Sequence, residues 1–161
     1  MYCAPLSDLR FVLEELLDAG ALAALPRYRE FSTELASAVL EEAARFAEQV
    51  LAPINQLGDR AGARFEDGRV YMPPEFRTAY QQFVEAGWPQ MTAGVEHGGQ
   101  GQPFVLALAT EELWFSANVA FMLCPLLGRG AVEALERNAT ASLAQRLLPP
   151  MVSGRWTGTM N

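Results

Sequence analysis

The histidine of this chain, His97, lies in the glycine-rich segment Val95-Glu96-His97-Gly98-Gly99-Gln100-Gly101. An imidazole can act as a general base or bind a metal ion, but each role needs partner side chains at a suitable spacing. No Ser/His/Asp system, Cys/His pair or zinc-ligand pattern is indicated around it. The glycines also lack the Gly-x-Gly-x-x-Gly and Walker patterns of phosphate-binding loops. We therefore interpret His97 as an exposed loop residue and the glycines as residues that let the backbone turn.

Adjacent carboxylates are the second candidate for chemistry, and they occur at Glu14-Glu15, Glu41-Glu42 and Glu111-Glu112. Neighbouring residues on a helix point about 100° apart, so such pairs do not form a facing catalytic dyad. Glu111 and Glu112 differ from the others because their segment is otherwise apolar. A buried carboxylate needs a charged partner. We predict that one of these two residues forms a structural ion pair with an arginine, in preference to acting as a catalytic acid.

The composition fits one acidic globular domain. The chain has 161 residues, half of them apolar, which is enough for a sizeable core. Its net charge is −7, and every basic residue is an arginine. Nucleic-acid binding by counterion release needs clustered cations, so we expect no nucleic-acid partner. No segment is long and apolar enough to span a bilayer, so we also expect no membrane partner.

The two cysteines and the first residues bear on location. Cys3 and Cys124 are far apart in sequence and match no metal or redox spacing, which favours free thiols in a reducing compartment. Charged residues interrupt the first 18 positions, unlike the apolar stretch of a signal peptide. We therefore expect a cytoplasmic protein without a metal site.

Apolar residues recurring at helical spacing predict an all-α domain. A first helix is expected from a cap at Ser7 or Asp8 to Gly20, and a longer one from a cap at Ser32 or Thr33. The predicted buried stripe of the longer helix consists of Leu35, Val39, Ala43, Phe46, Val50 and Ile54.

Prolines and glycines divide the next part of the chain. Pro53 is expected either to kink the long helix or to mark its last turn. Residues 58–74 are expected to form an exposed connector, with a brief extended piece at Val70-Tyr71. A third helix is predicted to start at Pro73-Pro74-Glu75 and to end at Gly87. Its predicted inward stripe consists of Phe76, Tyr80, Phe83 and Val84.

Several further helices are predicted in the C-terminal half. Pro103 should open a strongly apolar helix that reaches Trp114 and is buried on most sides. Separate helices are expected at 118–127 and 130–137. A last helix is expected from a Thr140 cap to Leu148, stopped by Pro149-Pro150.

Residues 155–161 have bulky and β-branched side chains at alternating positions, which predicts the start of a strand. A lone strand would leave its backbone groups unpaired. We therefore expect the polypeptide to continue past Asn161 into a β-rich domain.

Three segments occur together in a specific order and spacing. They are Ala86-Gly87-Trp88-Pro89 followed by Glu96-His97-Gly98-Gly99-Gln100-Gly101; Glu111-Glu112-Leu113 with Ser116-Ala117-Asn118; and Leu148-Pro149 through Gly154 to Trp156-Thr157-Gly158-Thr159-Met160-Asn161. In this combination the chain resembles the acyl-CoA dehydrogenase family from Phe76 onward. The first 17 residues resemble the extra N-terminal helix of the group that contains 3-methylmercaptopropionyl-CoA dehydrogenase. The chain departs from the family pattern at Val95, where many members have proline.

The resemblance implies a domain organisation and an activity. Residues 1–154 would be the family's N-terminal helical domain, with 1–31 as an additional N-terminal segment. Residues 155–161 would be the start of a truncated β-barrel domain. Members of the family use FAD and a glutamate base to desaturate the Cα–Cβ bond of an acyl-CoA thioester. In relatives the base and the main flavin contacts follow the position of Asn161, so we expect no catalytic residue in this fragment, no cofactor bound to it, and no activity from it alone.

The resemblance also implies binding residues and partners. By position relative to Leu127-Gly128, the helix face that lines the acyl chain in relatives corresponds here to Val119, Ala120, Leu123 and Leu127. By composition alone, the default interpretation of residues 119–123, which include Phe121 and Met122, is ordinary core, and an acyl-lining face is the alternative. Met160 and Asn161 fall where the family's chain first reaches the flavin. For the full-length enzyme the resemblance implies FAD, an acyl-CoA substrate, an electron-transfer flavoprotein and a homo-oligomer.

Two other interpretations remain open from the sequence. One keeps the fold but changes the chemistry, to an acyl-CoA oxidase or to a flavoprotein of this fold without dehydrogenase activity. The other is a freestanding helical module that binds a partner helix in an apolar groove.

Overall fold

The computed structural model describes residues 2–159, and in this part the chain folds as a helical domain with one small hairpin. The α-helices are α1 (Leu6–Phe11), α2 (Thr33–Phe46), α3 (Ala52–Ala61), α4 (Pro74–Glu85), α5 (Phe104–Ala117), α6 (Val119–Asn138) and α7 (Ala141–Val152). The hairpin consists of β1 (Arg64–Glu66) and β2 (Arg69–Tyr71). The predicted all-α class is confirmed.

Helix α1 begins earlier than the sequence predicted. Pro5 occupies the cap position, and its carbonyl accepts the first helical bond, from the Leu9 N–H at 3.2 Å. Ser7 and Asp8 therefore lie inside the first turn. The predicted cap at Ser7 or Asp8 is wrong. The fixed φ and missing N–H of proline suit the helix boundary better than a polar side chain two or three residues later. The helix continues through a π-helical turn (Val12–Leu16) and ends before Gly20.

Helices α2 and α3 form one rod joined by a π-helical turn (Ala47–Leu51). The Ser32 hydroxyl accepts the Leu35 N–H at 3.1 Å, which confirms the predicted cap. Pro53 lies in the first turn of α3, directly after the π-helical turn, so the rod does not end there. The extra residue in that turn accommodates the hydrogen bond that proline cannot make.

The buried stripe of this rod is displaced from the predicted one. Ala43 and Phe46 are buried as predicted, whereas the other four predicted positions are only half-buried. The most enclosed side chains are Leu40, Ala47 and Leu51, each at most 1% exposed. After residue 46 the π-helical turn rotates the following residues relative to an ideal helix, which strict helical spacing could not anticipate for Val50 and Ile54. Before the turn, Leu35 and Val39 lie beside the buried side of α2, on which Ala36, Leu40 and Ala43 recur at helical spacing.

Helix α6 is continuous, which corrects the prediction of two helices at 118–127 and 130–137. Asn118 caps it, and its side-chain oxygen accepts the Phe121 N–H at 3.0 Å. Gly128 and Gly130 lie inside the helix, although each costs about 1 kcal/mol relative to alanine. Packing offsets this cost, because Val132 on the same helix is buried against Leu148 and Val152 in a second, smaller hydrophobic core.

Helix α7 begins at the predicted Thr140 cap but continues past Pro149-Pro150 to Val152. The two prolines remove two backbone donors from the helix, but their carbonyl groups can still accept hydrogen bonds. The Ser153 N–H donates to Pro149 O at 3.1 Å, and the Trp156 N–H donates to Pro150 O at 2.9 Å. Proline's φ is compatible with a helix, so the expected stop at Leu148 is wrong.

Four aromatic side chains from four helices form the centre of the main core. They are Phe46 of α2, Phe83 of α4, Trp114 of α5 and Phe121 of α6. The ring centroids of Phe83 and Trp114 are 5.3 Å apart in an edge-to-face arrangement, and those of Phe83 and Phe121 are 5.8 Å apart. The Trp114 indole N–H donates to Ala43 O at 3.0 Å, which ties α5 to α2. We call these four residues the aromatic cluster.

The glycine-rich loop between α4 and α5 folds back on itself. The Gln100 N–H donates to Gln90 O at 2.8 Å, and the Gln102 N–H donates to Met91 O at 2.8 Å. Gly98 has a φ of 87°, and a side chain at Gly99 would meet the Ala93 carbonyl oxygen at 2.0 Å. These two glycines serve the turn and the close backbone approach.

The N-terminal segment packs on the same core. The Tyr2 hydroxyl donates to Leu113 O at 2.9 Å, and the Ala4 N–H donates to Glu48 Oε1 at 2.8 Å. Leu9 and Leu13 are buried together with residues of α2 and α5. The segment is therefore joined to the domain by specific contacts.

Residues 155–159 follow α7 as bends and irregular chain, and none of these five residues forms a strand. The two residues predicted to reach the flavin, Met160 and Asn161, lie outside the described residues. The connector predicted at 58–74 begins later than expected, because α3 continues to Ala61. Val70 and Tyr71 are extended in β2 as predicted, and the hairpin that β2 forms with β1 was not predicted. Of the helices described in residues 2–159, none has the length and apolarity needed to cross a membrane.

Asn118 provides a test of this packing. It is 1% exposed, caps α6, and donates to Leu51 O at 3.1 Å. We expect Asn118→Ala to lower the free energy of unfolding by about 2–3 kcal/mol, because it removes a cap together with a buried side-chain hydrogen bond to Leu51 O. Ser32→Ala removes a cap alone and should cost about 1 kcal/mol. Urea unfolding measures both, and equal losses would contradict the role given to the Leu51 contact.

Candidate functional site

Helix α6 presents apolar side chains to solvent. Val119 is 56% exposed and Leu123 is 52% exposed. Ala120 is also exposed, and Leu127 is half-buried. At roughly 100° per residue these four positions share one face of the helix. We call them the α6 face.

The orientation of α6 explains this exposure. Phe121 and Met122 are 4% and 1% exposed and point into the core. Together with Val132 they form a buried side centred roughly 180° from the α6 face at helical spacing. The reading of this run as ordinary core is therefore correct for Phe121 and Met122 and wrong for Val119, Ala120 and Leu123.

A small cleft lies on the other side of α6, between α4, α5, α6 and the segment after α7. Its walls include Tyr80, Trp88, Glu111, Cys124, Arg129 and Trp156. The enclosed space is about 50 Å³. A water molecule needs roughly 10–15 Å³ measured in this way, so the cleft holds only a few waters. None of the four residues of the α6 face lines it.

An ion pair crosses the cleft wall from α5 to α6. Arg129 donates to both carboxylate oxygens of Glu111, at 2.7 and 3.1 Å. The Glu111 side chain is 12% exposed and that of Arg129 is 21% exposed. The guanidinium also lies 4.8 Å from the centre of the Phe104 ring. The predicted buried carboxylate with an arginine partner is confirmed, and its bidentate contacts indicate a structural pair.

Tyr80 and Cys124 face the same cleft, and their ionisation is disfavoured there. Burial, together with the nearby thiol group of Cys124, raises the pKa of Tyr80 to about 12. Burial also raises the pKa of the Cys124 thiol. The Tyr80 hydroxyl donates to Gly154 O at 2.9 Å. Both groups are therefore neutral near pH 7, which suits polar packing better than acid–base chemistry.

Neither of these residues could be singled out from the sequence as part of a cleft. Tyr80 was predicted as part of the inward stripe of α4, and its partner Gly154 lies 74 positions away. For Cys124 the sequence predicted only a free thiol. Their meeting depends on how α4 and the end of α7 pack, which no local spacing encodes.

His97 lies in a short 3₁₀ turn (Val95–His97), where its N–H donates to Gly94 O at 3.0 Å. It is partly exposed and does not line the cleft. Within residues 2–159, no group of three or more His, Cys, Asp or Glu side chains is placed to hold a metal ion.

Comparison with known proteins decides the family. The family model described as acyl-CoA dehydrogenase, N-terminal domain, matches residues 33–155. The chain belongs to the acyl-CoA dehydrogenase family. The matched range begins at α2 and includes the α6 face and the cleft walls named above, except Trp156.

Relatives extend the match to the N-terminal segment. The chain is 44% identical to a 3-methylmercaptopropionyl-CoA dehydrogenase of Ruegeria pomeroyi over 162 residues. It is 30% identical to a butyryl-CoA dehydrogenase of Syntrophomonas wolfei over 165 residues. Both alignments cover 99% of this chain and 27% of the relative. The chain thus spans about a quarter of the length of these relatives, and the segment before α2 is part of the similarity.

The Glu111–Arg129 pair yields a stability prediction. Glu111→Gln should lower the free energy of unfolding by about 2–3 kcal/mol, because it leaves a largely buried guanidinium without a counter-charge. Glu112→Gln, at the exposed neighbouring position, should change it by less than about 0.5 kcal/mol. Thermal and urea unfolding compare the two. Similar losses for both variants would contradict the structural role of the pair.

Tyr80 yields a prediction about pH. Its folded-state pKa of about 12 exceeds the ordinary value of 10.0. The contribution of the neutral Tyr80 phenol to the free energy of unfolding is therefore fully present below pH 10. It is lost as the pH rises through 12. Tyr80→Phe should show a smaller loss of stability across this window than wild type, and its ultraviolet titration should lack the most alkaline phenol. Tyr71→Phe, at an exposed position, is the control and should retain that component.

Proposed function

We propose that this chain forms one wall of the acyl-binding pocket of an FAD-dependent acyl-CoA dehydrogenase. The whole enzyme would remove hydrogens from Cα and Cβ of an acyl-CoA thioester. The supporting observation is the α6 face, where Val119 and Leu123 are more than half exposed on a helix whose other side is firmly packed.

The α6 face suits an acyl chain better than the cleft does. Apolar side chains stabilise a methylene chain by about 0.8 kcal/mol for each buried CH₂. The cleft encloses only about 50 Å³ and contains the Glu111–Arg129 ion pair. Charged groups in its wall suit a methylene chain poorly. We therefore assign the acyl chain to Val119, Ala120, Leu123 and Leu127.

FAD is the cofactor that this proposal requires. When bound, it would accept the hydride from Cβ. The residues leading toward Met160 and Asn161 are compatible with it, because the exposed Trp156 indole and Thr157 hydroxyl suit a flat aromatic group with polar edges. We propose that Met160 and Asn161 contact the flavin. The role of residues 2–159 is to bind and orient the acyl group, and we propose that the chain alone is inactive.

The remaining parts of the proposal concern partners. An electron-transfer flavoprotein would reoxidise the flavin, and the enzyme would be a homo-oligomer in the cytoplasm. Free thiols at Cys3 and Cys124 support a reducing compartment. The net charge of −7 without lysine does not favour nucleic acid.

The complete gene product tests this function. Purified protein should contain FAD, and anaerobic titration with acyl-CoA thioesters should bleach the flavin absorption. The panel should include 3-methylmercaptopropionyl-CoA and butyryl-CoA, the substrates named for the relatives. A product without flavin, or a flavin that no thioester bleaches, would contradict the proposal.

A variant of the α6 face tests the assigned residues. Leu123→Glu should raise KM for the acyl-CoA roughly tenfold or more, since losing contact with two methylenes costs about 1.6 kcal/mol. Leu108→Glu is the matched control, because Leu108 is 48% exposed on α5. Its KM should remain within about twofold of wild type. Equal effects of the two variants would refute the assignment of the acyl chain to this face.

A further inference from the structure

The β1–β2 hairpin projects from the domain with both strands exposed. All six strand residues are exposed. Phe65 and Val70 face each other across the hairpin at 73% and 66% exposure. Among residues 2–159 no third strand joins this sheet. Isolated two-stranded hairpins are marginally stable in water, so this one gains from any further strand.

The hairpin geometry shows which backbone groups are available. The turn consists of Asp67 and Gly68, with φ of 49° and 74°, as in a two-residue type I′ turn. The residues that flank such a turn, Glu66 and Arg69, exchange hydrogen bonds with each other. Because bonded and non-bonded pairs alternate in an antiparallel ladder, the N–H and C=O of Phe65 point away from β2. The free edge of β1 therefore offers a donor and an acceptor at its central residue.

We propose that β1 pairs antiparallel with β1 of a second copy of this chain, about a twofold axis at Phe65. In this register the two Phe65 residues exchange their free backbone hydrogen bonds. Arg64 of each copy then lies opposite Glu66 of the other, which places two pairs of opposite charge across the interface. The charges of the strand Arg-Phe-Glu are thus complementary to those of an identical strand that runs in the opposite direction.

Charge favours a second copy at this position. The chain carries a net charge of −7, whereas residues 63–72 contain two arginines and two acidic residues and are neutral. Two copies that meet at the hairpin therefore bring neutral segments into contact, which limits their mutual repulsion. Arg64 and Glu66 already approach to 3.4 Å within one strand, with side chains 72% and 58% exposed. Such a surface pair contributes little, so it can be exchanged for contacts between copies at low cost.

The edge of β2 is less suitable. A twofold axis at Val70 would place Arg69 opposite Tyr71 of the other copy, with no pair of opposite charges. Natural edge strands usually discourage pairing with charges that repel an incoming strand. The charges on β1 instead attract a second β1. The strands are only three residues long, so the contact falls below the area of a standard interface, and we expect weak, reversible association.

Charge reversal tests the proposed register in the 161-residue chain. Sedimentation velocity over a wide concentration range should show a reversible dimer for wild type. Arg64→Glu and Glu66→Arg should each weaken dimerisation roughly tenfold or more, because each replaces two attractive pairs by two repulsive ones. Arg146→Glu changes the net charge by the same amount as Arg64→Glu at an exposed position of α7. It should leave dimerisation unchanged.

Mixing the variants separates pairing between copies from effects within one copy. An equimolar mixture of Arg64→Glu and Glu66→Arg chains should dimerise like wild type, since every facing pair is again of opposite charge. The doubly reversed chain, Arg64→Glu with Glu66→Arg, should do the same. Three results would overturn the proposal: a wild-type chain that stays monomeric, single variants that dimerise as wild type does, or a mixture that fails to recover. Circular dichroism of each variant confirms that the helical domain remains folded, and the outcome does not depend on the proposed enzyme function.

Discussion

The packing of the aromatic cluster is the constraint on which the rest of the domain depends. Phe46, Phe83, Trp114 and Phe121 come from four different helices, and their ring centroids lie 5.3–6.3 Å apart in the contacts between them. Edge-to-face pairs add about 0.5–1.5 kcal/mol each beyond burial of area, and they do so only in specific orientations. The cluster therefore fixes the rotation of each helix about its axis as well as the distances between helices.

The exposed apolar surface that we propose as the acyl-binding wall follows from that rotation. With Phe121 directed into the aromatic cluster and Asn118 bonded to Leu51 O, α6 can present only its opposite side to solvent. That side is the α6 face. The Glu111–Arg129 pair fixes the same helix two to three turns further along and forms part of the cleft wall. The domain thus separates a rigid, partly polar interior from an apolar face that is open to a ligand or to another part of an enzyme.

Features encoded within a few residues could be predicted from the sequence, and features encoded by packing could not. The Ser32 cap and the buried carboxylate at Glu111 follow from local chemistry and were predicted. The single helix α6 was missed because the glycines after Leu127 have poor helix propensity, which tertiary contacts overcome. The exposure of Val119 was not evident from composition, since apolar residues are usually buried. The role proposed for this face comes from the resemblance to a family alone, and no residue pattern in the sequence predicted the cleft around Tyr80.

The central claim is that the aromatic cluster holds α6 so that its exposed face receives the acyl chain. It is tested most directly by an experimental structure of the complete gene product with an acyl-CoA analogue that cannot be desaturated. The account predicts acyl carbons in van der Waals contact with Val119 and Leu123, and an undisturbed Glu111–Arg129 pair. An acyl chain in the cleft with that pair broken, or an α6 face covered by protein with no acyl chain against it, would contradict the account.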